Sequence, residues 1–227
     1  VMKRVGVNAL HLGVLGVALA GEPVAPHDFL TKLCDDFGPR MTGTAANAAA
    51  MDRLAAELRA LGYTPEKVSF TTPGWERGED RVELVAPFAR RLRVASLSYT
   101  QPHAAFTADV VDLGNAKDAD LDKVETRGRI GVLSPTTALQ TSELVAKAAA
   151  RGLKAVLFIN REGGGQLLAR TGSFSGTPLP LPIYSIAQEE GRWLQRLLAR
   201  GTPVRVQMET KSRCREAKTA NLRLVIP

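Results

Sequence analysis

Residues 142–159 read SELVAKAAARGLKAVLFI, a helical segment that ends at Gly152 and leads directly into the apolar run Ala155–Ile159. Another apolar segment, Ile130–Leu133, comes before it. This order predicts a strand, a helix and a second strand, and the helix supplies a crossover long enough for parallel pairing. The expected fold class is therefore α/β.

Further elements are predicted on both sides of this stretch. Helical spacing of apolar residues and a terminal Gly indicate helices over residues 26–37 and 46–61, with Gly62 at the C′ position of the second. Short apolar runs bounded by turn residues predict additional strands over residues 66–71, 81–85, 93–97, 107–113, 183–185 and 204–208.

A last helix is predicted to begin at Ser185. The sequence Ser185-Ile186-Ala187-Gln188 matches the capping box S-x-x-Q, and the buried stripe of this helix would consist of Trp193, Leu194, Leu197 and Leu198. Gly201 and Pro203 would end it.

The first twenty residues have the layout of a secretory signal peptide. Lys3 and Arg4 precede an apolar run over residues 5–19, and Ala18-Leu19-Ala20 offers a cleavage site. The alternative, a membrane anchor, falls short of the roughly 20 apolar residues that a helical span needs. We therefore expect residues 1–20 to be removed, no membrane association after cleavage, and a secreted or periplasmic location.

The charge pattern argues against nucleic acid as a partner. The formal charge of +7 falls to +5 (7 − 2) when Lys3 and Arg4 leave with the signal peptide. The remaining basic residues are scattered among acids, whereas nucleic-acid binders cluster them together with aromatic residues. The two short basic clusters, residues 90–93 and 211–215, are typical of solvated strand edges or linkers.

The two cysteines, Cys34 and Cys214, lie 180 positions apart (214 − 34). A disulfide could persist outside the cytoplasm, but it demands a narrow Cα separation. Two thiols that never meet are the favoured alternative, and the sequence leaves the question open.

No catalytic site is recognisable in the sequence. The three histidines, His11, His27 and His103, stand far apart, and no H-E-x-x-H motif occurs. A catalytic zinc ion needs three or more converging ligands. His103 follows Pro102 in an apparent loop, where we expect a solvated side chain. The prediction is that this chain contains no catalytic, cofactor-binding or metal-binding residue.

Two further features are assigned to loops and to the surface. Gly163-Gly164-Gly165 lacks the G-x-G-x-x-G pattern, so a flexible loop is expected rather than an anion cradle. The pairs Asp35-Asp36 and Glu189-Glu190 are adjacent on helices, so each pair points in two directions and is expected in solvent.

Five motifs follow one another in a distinctive order along the chain. They are FGPRMTGT (37–44), WERGE (75–79), GRIGVL (128–133), AAARGLKAVLF (148–158) and KTANL (218–222). In this order they resemble the front of secreted dizinc exopeptidases, the aminopeptidase and carboxypeptidase family with an inserted protease-associated domain. The likeness is strongest to the plasma glutamate carboxypeptidase branch, and it covers nearly the whole mature chain.

This resemblance implies a specific domain organisation. Residues 21–91 would start the zinc-exopeptidase α/β domain with two helices plus edge strands. Residues 92–211 would form an inserted protease-associated domain of mixed β-sheet with flanking helices, and residues 212–227 a linker and a return strand.

The resemblance also implies where the chemistry lies. In that family the zinc ligands and the general base follow the return strand. Two zinc ions are therefore expected in the full-length parent, none held by this chain, and the chain alone should be inactive. The implied partners are the missing catalytic domain and a peptide substrate, and a homodimer is left open.

Two hypotheses for function remain. The first is the amino-terminal, non-catalytic portion of an exported zinc exopeptidase, with the protease-associated domain as a lid or substrate-access element. The apolar segment 221–226 supports it, because a strand needs a pairing neighbour. The second is a free-standing exported module that binds peptides or proteins without catalysis.

Overall fold

The computed structural model describes residues 25–138 and 140–225, and the chain forms two compact units. One unit combines the residues up to Thr72 with those from Ala217, and the other consists of residues 73–216. The predicted signal peptide and Ile226, at the end of the predicted last strand, lie outside the described residues. The fold is mixed α/β, as the sequence predicted.

The first unit begins with two helices, α1 (Pro26–Phe37) and α2 (Ala45–Ala60). Polar contacts fix the turn between them. The Thr44 hydroxyl accepts the Asn47 N–H at 3.2 Å as the N-cap of α2. The Arg40 guanidinium donates to the Leu33 carbonyl at 2.9 Å and to the Gly38 carbonyl at 2.7 Å, and so ties the turn to the end of α1.

Two glycines have the backbone roles that their positions suggest. Gly62 follows the C-cap of α2 with φ 83°, and the Tyr63 N–H donates to the Leu58 carbonyl at 3.0 Å, which confirms the predicted C′ position. Gly43 has φ 77°, and a Cβ there would overlap the Cβ of Ala217. The FGPRMTGT turn therefore requires glycine at position 43 for conformation and for space.

Two long strands connect the units. Strand β1 (Glu66–Glu76) pairs with β10 (Arg213–Arg223) in a two-stranded sheet. An ion pair stands near each end of this sheet, at 2.5 Å between Glu66 and Arg223 and at 2.5 Å between Glu76 and Arg215. The strands are therefore antiparallel.

The second unit contains an eight-stranded mixed sheet with three helices. In chain order its elements are β2 (Asp80–Ala86), β3 (Arg90–Arg91), β4 (Val94–Ser96), β5 (His103–Asp112), α3 (Asp118–Leu121), β6 (Ile130–Leu133), α4 (Thr141–Ala150), β7 (Ala155–Ile159), β8 (Ile183–Ile186), α5 (Gln188–Ala199) and β9 (Arg205–Thr210). The strand order across the sheet is β3-β2-β9-β5-β6-β7-β8-β4.

The centre of this sheet is parallel, as the strand–helix–strand pattern predicts. Strands β5, β6, β7 and β8 are parallel neighbours, with Ile130 opposite Ala155. Side chains alternate between two buried clusters, so Leu157 packs in the cluster that contains Leu194 of α5. Phe158 packs in the other, which contains Leu144 of α4. Helices on both faces explain why these strands are apolar without interruption.

The pairing of β2 sets a different boundary from the predicted division at residue 91. Strand β2 pairs with β9 from Asp80 to Ala86, and these six partner pairs hold it in the second unit. Trp75, which falls between the strands predicted at 66–71 and 81–85, lies in β1 and is buried, with its Nε1–H donating to the Thr100 carbonyl at 3.0 Å.

The predicted capping box is wrong. Ser185 belongs to β8, where it pairs with Phe158, and the N-cap of α5 is Ala187 without a side-chain hydrogen bond. Parallel pairing with β7 fixes the backbone of Ser185 in a strand, and the Ser185 side chain is completely buried. The predicted apolar stripe of α5 is confirmed, because Leu194 is buried and its three companions pack against the same core.

In the part of the chain that the structure describes, no helix is both long enough and apolar enough to cross a membrane.

Candidate functional site

The carboxyl ends of β6, β7 and β8 meet on one edge of the sheet in the second unit. In open α/β sheets, ligands commonly bind outside the carboxyl ends of parallel strands. The segments that leave this edge are residues 134–138 after β6, residues 160–182 after β7, and the start of α5 after β8. This edge is the candidate site because it gathers loops and charged side chains.

The glycine run in the segment after β7 binds a carboxylate of the same chain. Glu189 Oε1 accepts the Gly164 N–H at 2.6 Å and the Gly165 N–H at 3.2 Å. Both glycines have positive φ, which lets successive amides point at one anion. The loop holds an anion, contrary to the prediction.

The same contacts set the acidity of Glu189. Hydrogen bonds from its own amide, then from Gly165 and Gly164, lower the pKa of this carboxyl below its usual 4.5. Gln188 adds a further link, because its side-chain amide donates to the carbonyls of Asn160 and Arg161. The start of α5 is therefore bound to the segment that follows β7.

Glu189 is exposed, as predicted, whereas its neighbour Glu190 is largely removed from solvent. The Glu190 side chain is 11% exposed, and it accepts the Arg93 N–H at 2.6 Å and the Arg90 guanidinium at 3.4 Å. Of the four acidic residues assigned to solvent, Asp35, Asp36 and Glu189 are exposed as predicted, and the assignment is wrong for Glu190.

His103 forms part of a polar network in the second unit. It is the first residue of β5, and its Nε2 lies 2.6 Å from the hydroxyl of Tyr184, which is fully buried. Its Nδ1 lies 3.1 Å from the Ala104 carbonyl. Nδ1–H therefore donates to that carbonyl, and Nε2 accepts the Tyr184 O–H. The expectation of a solvated loop histidine is wrong.

The network continues from Tyr184 to an aspartate. The Thr210 side chain lies beside the Tyr184 hydroxyl, and the Thr210 hydroxyl donates to Asp80 Oδ1 at 2.7 Å. Asp80 Oδ2 accepts the Ser96 N–H at 2.7 Å. Burial lowers the pKa of His103 below 6.5 and raises that of Tyr184. At neutral pH the network is therefore built on a neutral imidazole and a neutral phenol.

A separate groove of about 480 Å³ lies beside β5 and the end of α5. The two aspartates that line it already have partners within the unit. Asp109 pairs with Arg205 at 3.3 Å, and Asp112 accepts the Gly114 N–H at 2.9 Å and the Gln195 amide at 3.0 Å. Both carboxylates of the groove are therefore engaged within the unit.

Comparison with known proteins gives one curated relative and several solved structures. No protein-family model matches the chain. Aminopeptidase YwaD from Bacillus subtilis (strain 168) is 28% identical over 168 residues, which are 73% of this chain and 35% of that protein. The zinc aminopeptidase BSAP from Bacillus subtilis superposes with a TM-score of 0.68 at 21% identity, over 86% of this chain and 45% of its own.

Two further structures agree. The peptidase M28 precursor from Shewanella amazonensis SB2B matches with a TM-score of 0.66 at 19% identity, over 95% of this chain and 52% of its own. The aminopeptidase from Aneurinibacillus sp. strain AM-1 matches with a TM-score of 0.65 at 19% identity, over 86% of this chain and 46% of its own. The fold is zinc-exopeptidase-like. The chain spans about a third of the curated relative and about half of these structures.

A zinc-exopeptidase-like fold implies a zinc site, and the described residues do not supply one. Among them, no three His, Cys, Asp or Glu side chains are placed to hold a metal ion. His103 is engaged with Tyr184, and His27 lies in the first turn of α1. His11 lies outside the described residues. Cys34 and Cys214 are both free thiols. No catalytic step can be derived through zinc from these side chains.

Sequence reasoning missed the contacts at this edge and those of the His103 network. Glu189 and Gly164 are 25 positions apart, and His103 and Tyr184 are 81 apart. The one available signal was the glycine run itself, which marks a backbone able to turn its amides toward an anion.

Proposed function

We propose that this chain is the amino-terminal, non-catalytic part of an exported zinc exopeptidase, and that residues 73–216 form a protease-associated unit controlling access to the substrate. The observation that carries the proposal is the similarity to YwaD, which extends over 73% of this chain but only 35% of that protein. The two zinc ions and the general base would be supplied by residues beyond this chain.

The relatives favour aminopeptidase action. The names of YwaD, BSAP and the Aneurinibacillus enzyme all specify aminopeptidases, whereas none specifies a carboxypeptidase. We therefore propose hydrolysis of amino-terminal residues from small peptides, where the sequence alone left aminopeptidase and carboxypeptidase action open.

The connectivity supports the role of an inserted unit. The chain leaves the first unit after Thr72, on β1, and returns at Ala217, on the antiparallel strand β10. A domain inserted between two neighbouring strands leaves the host fold continuous, which is how domain insertions are tolerated. The second unit also has its own buried cores and its own sheet.

Activity is tested on the complete reading frame that contains this chain, purified with zinc. We expect hydrolysis of leucine p-nitroanilide and no hydrolysis of an N-blocked dipeptide with a free carboxyl end. This chain alone, incubated with zinc, is the control and should hydrolyse neither. Cleavage of the N-blocked dipeptide alone would contradict aminopeptidase action, and cleavage of neither would contradict the exopeptidase proposal.

The access role needs a second variant. Replacing residues 73–216 of the complete protein by a short Gly-Ser linker joins two strands that already pair. If the unit controls access, kcat/KM for a tetrapeptide should change by about tenfold or more, equivalent to about 1.4 kcal/mol, and more than for leucine p-nitroanilide. Equal changes for both substrates would contradict the role.

A further inference from the structure

Two arginines that have no acidic partner among the described residues lie on the carboxyl edge of β6 and β7. Phe158 of β7 stands opposite Leu133 of β6, so the segments that follow these residues leave the sheet side by side. Arg161 comes from the segment after β7. Arg170, from the same segment, returns to place its guanidinium 4.0 Å from the centre of the Phe158 ring.

Contacts with the protein hold each guanidinium in place. Arg161 Nε donates to the Pro135 carbonyl at 3.0 Å, and Nη2 lies 3.5 Å from the Thr137 carbonyl. These contacts use two of its five N–H donors and leave the others available. Arg170 is held by the face of a buried aromatic ring, an attraction that leaves its N–H donors available.

The charges of the two arginines are not balanced locally. Across residues 25–138 and 140–225, neither guanidinium comes within ion-pair distance of a carboxylate, although Glu162 is adjacent to Arg161 in sequence. Burial, and then the positive charge of Arg161, lower the pKa of Arg170. Two like charges that repel each other are stabilised by an anion between or beside them.

The same edge already accommodates a carboxylate. Glu189 occupies the amides of Gly164 and Gly165, in the loop that connects Arg161 to Arg170. With that carboxylate bound to backbone groups, the side-chain donors of the two arginines remain for a ligand from outside.

We propose that Arg161 and Arg170 form a binding site for a carboxylate of a peptide ligand on the carboxyl edge of β6 and β7. The choice of a peptide rests on the proposed function. The guanidinium groups match the planar carboxylate through parallel N–H donors. The carboxylate can come from an Asp or Glu side chain or from the free end of the peptide, and both present the same group.

Three tetrapeptides, titrated into the chain calorimetrically at low ionic strength, separate these sources. Acetyl-Ala-Ala-Glu-Ala-amide carries only a side-chain carboxylate, and acetyl-Ala-Ala-Gln-Ala with a free carboxyl end carries only a terminal one. Acetyl-Ala-Ala-Gln-Ala-amide carries none. We expect at least one carboxylate peptide to bind about tenfold more tightly than the neutral peptide. Equal affinity of all three overturns the proposal, as does binding of inorganic phosphate alone.

Variants localise the site. Arg161→Gln and Arg170→Gln should each remove most of the difference between the carboxylate and neutral peptides. Arg200→Gln, an exposed arginine just after α5, makes the same change in net charge and should leave that difference intact. An equal effect of all three variants would mean non-specific attraction and would overturn the proposal.

The fold of each variant is checked by circular dichroism. If either glutamine variant unfolds, Arg170→Lys is used to test the site instead, because lysine keeps the positive charge but lacks the paired N–H donors of arginine. Weakened carboxylate binding supports the site, and unchanged binding overturns it. These titrations need no catalytic activity, so a failure here leaves the exopeptidase proposal standing, and an inactive complete protein leaves the carboxylate site standing.

Discussion

Replacing Tyr184 by Phe tests the polar network of the second unit directly. The substitution removes one oxygen atom from a fully buried side chain, and with it the 2.6 Å contact to His103 and the contact to Thr210. A hydrogen bond contributes about 0.5–1.5 kcal/mol net, and a buried group left without a partner costs about 1–3 kcal/mol. His103 is only half-buried and can regain water. We therefore expect a loss of about 2 kcal/mol in the free energy of unfolding.

Tryptophan fluorescence during urea unfolding measures this loss in the relevant unit. The chain contains two tryptophans, Trp75 and Trp193, and both lie within residues 73–216. With a urea dependence near 2 kcal/mol per molar, a loss of about 2 kcal/mol moves the midpoint down by about 1 M.

The control is Tyr99→Phe. The hydroxyl of Tyr99 makes an exposed contact at 3.3 Å with the Pro73 carbonyl, so this variant should lose less than about 0.5 kcal/mol. Equal midpoints for the two variants would refute the reasoning that the buried hydroxyl stabilises the unit.

Four further predictions follow from individual side chains. Burial lowers the pKa of His103, so as the pH falls the imidazole is protonated in the unfolded chain before it is protonated in the folded one. The unfolding free energy should therefore decrease as pH falls below about 6.5. Urea midpoints at pH 7.5 and pH 5.5 should differ less in His103→Asn than in the wild type. The NMR amide signals of Gly164 and Gly165 should titrate with a midpoint below 4.5, because they report the lowered pKa of Glu189, and a midpoint at or above 4.5 would contradict the contact. An Ellman assay of the native chain without reductant should detect both thiols. Cys34 should react faster, because it is exposed and because burial raises the pKa of the Cys214 thiol. Detection of a single thiol or of none would contradict two free cysteines. Gly191→Ala should destabilise the second unit by about 1–2 kcal/mol, because the Cβ of the new alanine would overlap Ile159 Cγ1. This loss should outweigh the gain in helix propensity. A urea midpoint above that of the wild type would show that the contact relaxes without cost.

The parallel core of the sheet could be predicted because its signals are local. Ile130–Leu133 and Ala155–Ile159 are continuous apolar runs joined by a helix that ends at Gly152, and strands covered on both faces have this composition. The predicted bounds of these two strands match the observed ones. Helix ends marked by Gly38 and Gly62 could also be predicted, since a C-terminal glycine acts within a few residues.

The failures share a physical cause, which is pairing with residues distant in sequence. The predicted strand ended at residue 71, just before Pro73 and Gly74, but β1 continues to Glu76 because β10 pairs with it. Ser185 suggested a cap, but β7 holds it in a strand. His103 looked solvated because its partner, Tyr184, lies 81 positions away. In each of these cases, contacts with residues distant in sequence override the structure that the local sequence favours.

The strand pair β1–β10 also has a consequence for the order of folding during synthesis. Ala217 follows Thr72 by 145 positions (217 − 72), and at about 5–20 residues per second the ribosome needs roughly 7–30 s to supply them. Throughout this interval β1 lacks its only strand neighbour in the described sheets, with Val68 and Phe70 exposed even in the finished fold. The second unit is continuous in sequence and can fold first. The nascent chain therefore carries an unpaired β1 ahead of a unit that can already fold.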